Sequence, residues 1–278
     1  MVLFDATNQS VETARWRHLL ESRGLVVESN DIHIVTSTPF SKERRRQDHF
    51  DSGSRDPVKA LERKASTWFP LRHSNVLPLL RMCLDVDRPF LVMPLMSNNA
   101  RNHVSIHTNM SINERIGILL DTARGMQYLH HTQQRVIHGD LKASNILIGD
   151  DGRAQICDFG LSFVKADSDV DAPLRTDAVR WAAPEVHNKE CKVDFPSGVF
   201  SFAMTAIELF TGEPPFAEDD GTDDNGEPDD VWQLIADCCQ KGPSTRPSVD
   251  EIVERLEAIR KQPNDAFQAD GAATSLEA

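Results

Sequence analysis

His138–Asn145 (HGDLKASN) and Asp158–Phe159–Gly160 (DFG) decide the fold of this chain, and the second stretch begins thirteen residues after the first ends. Apolar residues flank the first stretch at Arg135–Ile137 and Ile146–Ile148, which predicts short buried strands around a polar loop. Ala154–Cys157 then predicts a strand that leads directly into Asp158. A bare DFG is a weak signal, because a solvated turn can have the same sequence. The longer motif upstream makes the pair specific.

Together these motifs resemble the C-terminal lobe of a protein kinase. Arg180–Glu185 (RWAAPE) resembles the segment that closes the kinase activation loop, and Arg246–Pro247 resembles its distant partner. The resemblance implies a buried ion pair between Glu185 and Arg246, which would be structural. Lys142 is the residue type that is typical of serine/threonine kinases at this position. The Trp-x-Ala-Pro-Glu pattern is typical of the tyrosine-kinase-like group of those enzymes. The implied fold class is α+β, with a β-rich N-lobe and a mainly helical C-lobe.

The resemblance implies a role for each polar residue of the two motifs. Asp140 would orient the hydroxyl that attacks the γ-phosphate of ATP and accept its proton. Lys142 would offset charge on the transferring phosphoryl group. Asn145 and Asp158 would supply hard oxygen ligands for Mg²⁺. ATP and Mg²⁺ are therefore the implied cofactors.

An adenine pocket is implied as well. Met93–Met96 would form the hinge between the lobes, with Met93 and Met96 as cofactor-binding residues, and Leu147 would lie beneath the adenine. A hydrophobic spine would connect the lobes, although an apolar stripe can also be ordinary core. The spine residues would be Trp68, Leu79, Phe159 and His138.

Length and charge limit the class of protein. A chain of 278 residues can bury a sizeable core and matches one catalytic unit of a kinase. The net charge of -13 argues against nucleic acid and anionic membrane as main partners, which leaves a protein substrate or binding partner. The sequence has no apolar run of the roughly 18 residues that a span needs, and no signal-peptide pattern at its start. We therefore expect an intracellular, cytoplasmic protein.

The five cysteines are an odd number and include no Cys-x-x-Cys, so we expect neither a disulfide framework nor a zinc site. They are interpreted as reduced core thiols. Cys157, next to Asp158, is either a reactive thiol at the nucleotide pocket or a small buried hydrophobe, and the second interpretation is favoured.

Hydrophobic periodicity predicts three helices in the order of a kinase C-lobe. Ile112–His131 has apolar residues at helical spacing, and Val199–Phe210 is apolar on nearly every face, as in a helix buried inside a lobe. Ser248–Glu251 is a capping box that starts a last helix. The inward residues of that helix would be Val249, Ile252, Val253, Leu256 and Ile259.

The predicted organisation has four parts: a helical extension (1–24), a reduced N-lobe (25–96), the C-lobe (97–261) and a disordered tail (262–278). Within the C-lobe, residues 217–230 (AEDDGTDDNGEPDD) carry eight carboxylates in fourteen positions and predict a solvated loop. This loop fails the calcium-loop pattern, so metal binding there is not expected.

The N-lobe departs from the family pattern. The sequence contains no Gly-x-Gly-x-x-Gly lid. Residues 26–35 alternate between apolar and polar side chains, as in a first strand. Residues 39–57 contain too few apolar residues to form the next two strands. The position of the helix glutamate falls on Lys64, with Glu62 on another helical face. Lys59 resembles the strand lysine only faintly and is better interpreted as a first-turn helix residue.

Two departures in the C-lobe point the same way. Gly198 replaces the aspartate that anchors the catalytic loop from the buried helix, so the loop loses an acceptor for backbone N–H groups. The acidic loop replaces the helix that usually follows Pro215–Phe216. A third departure is milder: Gly139 replaces an arginine, so a phosphate on the activation loop would lack that partner.

These observations leave three hypotheses. The first is a serine/threonine kinase homologue with weak activity, because the lid and the strand lysine are missing while Asp140, Asn145 and Asp158 are kept. Lys59 or the basic run 42–46 (KERRR) could replace that lysine, although a solvated face is the simpler interpretation of the run. The second is a pseudokinase that binds or scaffolds a partner through the acidic loop. The third is an incomplete copy of a once active kinase.

Overall fold

The structure is a computed structural model. Two compact units make up the chain, one formed by residues 1–69 and 78–96 and the other by residues 70–77 and 97–278. The structure describes residues 32–36, 62, 65–83, 90–159, 163–164, 178–187, 193–216 and 229–262. The predictions for Lys59, Lys64, the basic run 42–46, the extension 1–24 and the tail after residue 262 lie outside these ranges.

The first unit contains a three-stranded antiparallel sheet in the order β1-β3-β2. The strands are β1 (Ile32–Thr36), β2 (Arg81–Cys83) and β3 (Phe90–Pro94). Residues 91–93 of the central strand are buried, as their continuous apolar sequence predicts. The predicted strand 26–35 is described only from Ile32 onwards, and it continues one residue further, to Thr36. The sheet of this unit and the helices of the second unit agree with the predicted α+β fold class.

Helices dominate the second unit. Among the described residues no helix is both long enough and apolar enough to cross a membrane. The helices are α1 (Ala100–Ile106), α2 (Ile112–His131), α3 (Pro184–His187), α4 (Phe195–Thr211), α5 (Asp229–Cys238) and α6 (Val249–Arg260). Helix α2 packs against α4 and α6, and α6 also packs against α5.

Two predicted helices are confirmed, and the predicted capping box of the second is confirmed as well. Helix α2 has the predicted bounds, and Ser111 and Glu114 form a capping box at its start. At α6 the predicted box joins Ser248 and Glu251. The five residues predicted to face inward from α6 are all buried.

The buried helix α4 is confirmed, but the prediction placed its start too late. It begins at Phe195 rather than Val199, because the Asp194 side chain accepts the backbone N–H of Phe195 and forms the N-cap. The helix ends at Gly212, whose φ of 77° is the left-handed conformation that glycine adopts without strain.

The predicted acidic loop, 217–230, has the wrong C-terminal bound. Asp229 and Asp230 are the first residues of helix α5. Carboxylates are favourable at a helix N-terminus, and Val231, Leu234 and Ile235 supply the buried face that the acidic segment lacks. Residues 217–228 lie outside the described residues, so a loop there stays a prediction.

Short strands complete the second unit. They are β4 (Asn98–Asn99), β5 (Val136–Ile137), β6 (Ile146–Ile148), β7 (Ala154–Ile156) and β8 (Phe163–Val164), paired as β4-β6-β7 and β5-β8. The prediction that Arg135 begins a strand is wrong. Its φ of 50° turns the chain before β5, so the pairing with β8 starts at Val136. The predicted turn between β6 and β7 is confirmed, with Gly152 at a φ of 76°.

Residues 70–77 attach to the second unit through β7. The buried Asn75 side chain donates to the Ala154 carbonyl at 3.0 Å, and its own carbonyl accepts the Ile156 N–H at 2.9 Å. Gly125 of α2 faces this contact, where a Cβ atom would lie 2.6 Å from the Asn75 oxygen. Glycine is therefore required for the close approach of α2.

The predicted ion pair between Glu185 and Arg246 is confirmed. The guanidinium donates to both carboxylate oxygens, at 2.7 and 2.9 Å, and the Arg246 side chain is 0% exposed. Arg246 also donates to the carbonyls of Pro196 and Gln240. Burial alone would raise the pKa of Glu185, but the hydrogen bonds from Arg246 lower it overall. The pair thus connects α3 to the start of α4.

We expect Arg246→Met to lower the free energy of unfolding by about 3–5 kcal/mol, because it leaves the Glu185 carboxylate without its buried partner. Urea unfolding measures the change. The matched control is Arg255→Met, which removes an ion pair of a partly exposed side chain with Asp237 and should have little effect. Equal losses in the two variants would contradict a special contribution from the buried pair.

Candidate active site

The backbone of Cys157 is held from two sides. His138 Nε2 donates to the Cys157 carbonyl at 2.9 Å, and the Cys157 N–H donates to the Asn145 carbonyl at 2.9 Å. These bonds join the HGDLKASN loop to the residue that precedes Asp158. The two motifs, thirteen residues apart in sequence, therefore lie side by side.

His138 is neutral in this arrangement. Burial lowers its pKa, and because Nε2 donates to Cys157, Nδ1 is the atom that accepts the Asp140 N–H at 3.3 Å. The Phe159 ring meets the imidazole edge-on, with ring centroids 5.1 Å apart. Burial of both rings excludes water from the bond to Cys157.

Asp140, Lys142 and Asn145 contact one another. Lys142 Nζ lies 3.3 Å from Asp140 Oδ1, and the Asn145 amide nitrogen donates to Asp140 Oδ2 at 3.1 Å. The same nitrogen donates to the Asp140 backbone carbonyl at 2.7 Å. Because the Asp140 and Lys142 side chains are only 3% and 11% exposed, their charges interact in a poorly solvated environment. The loop therefore presents one oriented carboxylate beside one cation.

Asn145 and Asp158 fit a hard cation. The amide nitrogen of Asn145 donates to Asp140, so its amide oxygen is the atom that would face a cation. Asp158 has a φ of 58°, an uncommon conformation for a non-glycine residue that often marks a functional site. Within the described ranges no cluster of three or more His, Cys, Asp and Glu could hold a metal. Mg²⁺ needs no such cluster, because water and phosphate oxygens complete its shell.

The residues predicted for the adenine pocket are divided between the two units. Met93 is buried in β3 and Met96 follows that strand, whereas Leu147 is buried in β6 of the second unit. Their shared role stays a prediction. Of the predicted spine, the His138–Phe159 contact is observed, and Trp68 and Leu79 are buried in the first unit.

The favoured interpretation of Cys157 is confirmed. It is buried, and desolvation raises the pKa of its thiol well above the ordinary value, so the unreactive thiol form is favoured. Cys238 and Cys239 are also free thiols, with pKa values raised by burial to about 12 and about 11.

The sequence interpretation missed Glu208. This residue of α4 is buried, and its Oε2 accepts the backbone N–H of Ala143 and the indole N–H of Trp181, each at 3.0 Å. A signal was present, because Glu208 is the one charged residue in the run from Phe195 to Thr211. An ionisable group in an otherwise buried helix needs a partner or a role.

The chain resembles known kinases in sequence. Residues 50–256 match the family described as protein tyrosine and serine/threonine kinase. Over 168 residues the chain is 32% identical to the serine/threonine-protein kinase TNNI3K of Mus musculus, an alignment that covers 59% of this chain and 20% of that protein. Over 224 residues it is 30% identical to Serine/threonine-protein kinase 12 of Arabidopsis thaliana, an alignment that covers 73% of this chain and 48% of that protein. The chain thus spans from a fifth to about half the length of these relatives.

The buried neutral His138 predicts a loss of stability in mild acid. Its pKa is lowered in the folded state, so as the pH falls below about 6.5 the unfolded chain binds a proton that the folded chain does not. We expect the free energy of unfolding to decrease between pH 7 and pH 5 in urea titrations. His138→Gln should reduce this pH dependence without abolishing it, because burial also lowers the pKa of His130, to about 4. An unchanged slope in His138→Gln would refute the assignment.

The position of Gly198 in α4 predicts a substitution that adds a carboxylate acceptor to this helix. The nearest atom to a Cβ built at this position is Met126 Cε at 3.9 Å, so an aspartate has room for its first side-chain atom. We expect Gly198→Asp to fold and to slow amide hydrogen exchange in the loop after His138 about tenfold, as a carboxylate acceptor would. Gly198→Ala, which fills the same space without an acceptor, is the control. Equal exchange in both variants would mean that the carboxylate does not reach the loop.

Proposed function

We propose that this chain, which belongs to the protein tyrosine and serine/threonine kinase family, binds Mg-ATP and transfers the γ-phosphoryl group to a protein serine or threonine hydroxyl. We propose that the rate is well below that of a complete kinase. The observation that supports the transfer is the contact of Asp140 with both Lys142 and Asn145, beside Asp158.

In this proposal Asp140 is the general base. Its Oδ2 is oriented by the Asn145 amide, so the carboxylate has a fixed direction before a substrate arrives. A substrate hydroxyl within hydrogen-bond reach of Asp140 would give up its proton to the carboxylate as the oxygen attacks the phosphorus atom.

Lys142 would stabilise charge on the transferring phosphoryl group. Its ammonium lies 3.3 Å from Asp140 Oδ1 and 6.0 Å from the centroid of the Trp181 ring. A cation held in this way needs little reorganisation when negative charge develops nearby. Mg²⁺, when held by Asn145 and Asp158, would neutralise phosphate charge.

The first unit supports the proposal of a low rate. None of its described strands, IHIVT, RMC and FLVMP, contains a lysine. Strands β1 and β2 both pair with β3, and neither of these described neighbours of the proposed hinge strand carries a lysine. Loss of one such electrostatic contact costs orders of magnitude in rate.

The same observation favours a second candidate function. A family member that keeps the loop of Asp140 but lacks the strand lysine could act as a pseudokinase that binds or scaffolds a protein partner. In that case the acidic segment 217–230 is the proposed docking segment, because eight carboxylates attract a basic surface.

A thermal-shift titration with ATP, with and without Mg²⁺, tests the first function. Ligand that binds the folded state must raise the melting temperature. We expect a magnesium-dependent rise for the wild type and none for Asp158→Asn, because the substitution removes the charged ligand. Leu80→Ala, at an exposed position of the first unit, is the control for an unrelated change.

If the shift is observed, transfer of labelled γ-phosphate to a mixed protein substrate tests catalysis. Asp140→Asn should lose the transfer while keeping the nucleotide-dependent shift, because it removes the base and not the metal ligands. No shift at millimolar nucleotide would exclude the first function and leave the pseudokinase.

A further inference from the structure

Two histidines of helix α1 lie outside the motifs of the candidate active site. His103 belongs to the last turn of this helix, and His107 is its C-cap. The two rings are in contact, with centroids 4.3 Å apart and planes inclined by 37°. We propose that these two imidazoles bind a divalent transition metal ion such as Zn²⁺, with water molecules in its remaining positions.

The spacing of the two histidines brings both side chains to one face of the helix. They are four residues apart, and the backbone N–H of His107 still donates to the His103 carbonyl at 3.0 Å, as in a continuing helix. Histidines at positions i and i+4 of one helix face can bind the same zinc ion. The contact of the two rings is therefore the arrangement that such a site needs.

A hydrogen bond determines which nitrogen of His107 is available to a metal. Its Nδ1 lies 2.9 Å from the carbonyl oxygen of His103. Because a carbonyl can only accept, Nδ1 carries the proton, and Nε2 of the neutral ring keeps its lone pair. Histidines that bind metals commonly donate their other ring N–H to a carbonyl or carboxylate, which fixes the ring orientation. His107 therefore has the supporting hydrogen bond of a metal ligand.

The carboxylate of Glu114, in the first turn of α2, adds negative charge beside the pair. Hydrogen bonds from Ser111 lower the pKa of Glu114, and His103 and His107 are close enough to lower it further. Its Oε2 accepts the N–H and the O–H of Ser111, both at 2.7 Å. No group of three His, Cys, Asp or Glu in the described ranges could hold a metal, so Glu114 would favour a cation through its charge and not as a third ligand.

The ligand type selects the class of metal. Imidazole nitrogen suits Zn²⁺, Cu²⁺ and Ni²⁺, whereas Mg²⁺ and Ca²⁺ prefer oxygen ligands. The site therefore differs in chemistry from the oxygen ligands proposed at Asn145 and Asp158, and it does not depend on phosphoryl transfer. His107 is exposed and His103 is half-buried, so an ion can reach both rings from solvent.

A zinc titration of the whole chain, without an affinity tag or nucleotide, tests the proposal. The ring signals of His103 and His107 in ¹H–¹⁵N NMR spectra, assigned by their loss in His103→Gln and His107→Gln, should shift together with Zn²⁺ but not with excess Mg²⁺. Either substitution should weaken zinc binding at the remaining ring by about tenfold or more, because even the loss of a supporting residue costs about 10–100-fold in metal affinity. Unchanged ring signals at a zinc concentration that shifts other histidines would overturn the proposal.

A variant with the same number of histidines tests the spacing. Ser105→His combined with His107→Gln places the second imidazole two residues from His103, on another face of the helix. Ser105 is exposed, so the new side chain has room. We expect this variant to bind zinc at α1 no better than His107→Gln. Binding as strong as in the wild type would also overturn the proposal, because the pair at i and i+4 would then not be required.

Thermal unfolding in excess Mg²⁺ gives a second measurement. Zn²⁺ should raise the melting temperature of the wild type more than that of the doubly substituted variant, because an ion that binds the folded state stabilises it. The matched control is His187→Gln. His187 is also exposed and contacts a backbone carbonyl, that of Val179, so its replacement should keep the full rise. An equal rise in the wild type and the doubly substituted variant would place the bound zinc elsewhere and overturn the proposal.

Discussion

Two hydrogen bonds to the backbone of one residue, Cys157, hold the site together. His138 donates to its carbonyl and Asn145 accepts its N–H, so the strand that ends before Asp158 has only one position relative to the loop. Both bonds are buried, where an unpaired partner is costly. Alternative arrangements of the loop would leave donors and acceptors without partners in a dry environment. The contact of Asp140, Lys142 and Asn145 depends on this arrangement.

Helix α4 is the support on which the second unit is assembled. Arg246 binds Glu185 and the carbonyl of Pro196 at its start, and Glu208 accepts bonds from Ala143 and Trp181 near its end. The middle of the helix is apolar and buried, so it can shift only if the core around it also shifts. Polar contacts at the two ends of a rigid helix therefore fix segments that surface loops alone would not hold.

The described residues of the two units differ in the charged groups that they contribute. In the second unit the loop residues are in contact, and their charges are partly shielded from water. In the first unit the described strands supply apolar residues and no lysine. Because phosphoryl transfer depends on charges arranged around the phosphates, our proposal of a slow enzyme or a binding protein rests on this difference between the described residues of the two units.

The sequence by itself determined the features that depend on neighbouring residues. Periodicity predicted α2, periodicity and a capping box predicted α6, and the family resemblance implied the pairing of Glu185 with Arg246. Only the tertiary structure decided the partners of Glu208, the left-handed turns at Arg135 and Asp158, and the start of α5 inside the acidic segment. Local patterns fix helices because their hydrogen bonds join residues four apart. The bonds of Glu208 span 27 and 65 residues, so no local pattern could specify their partners.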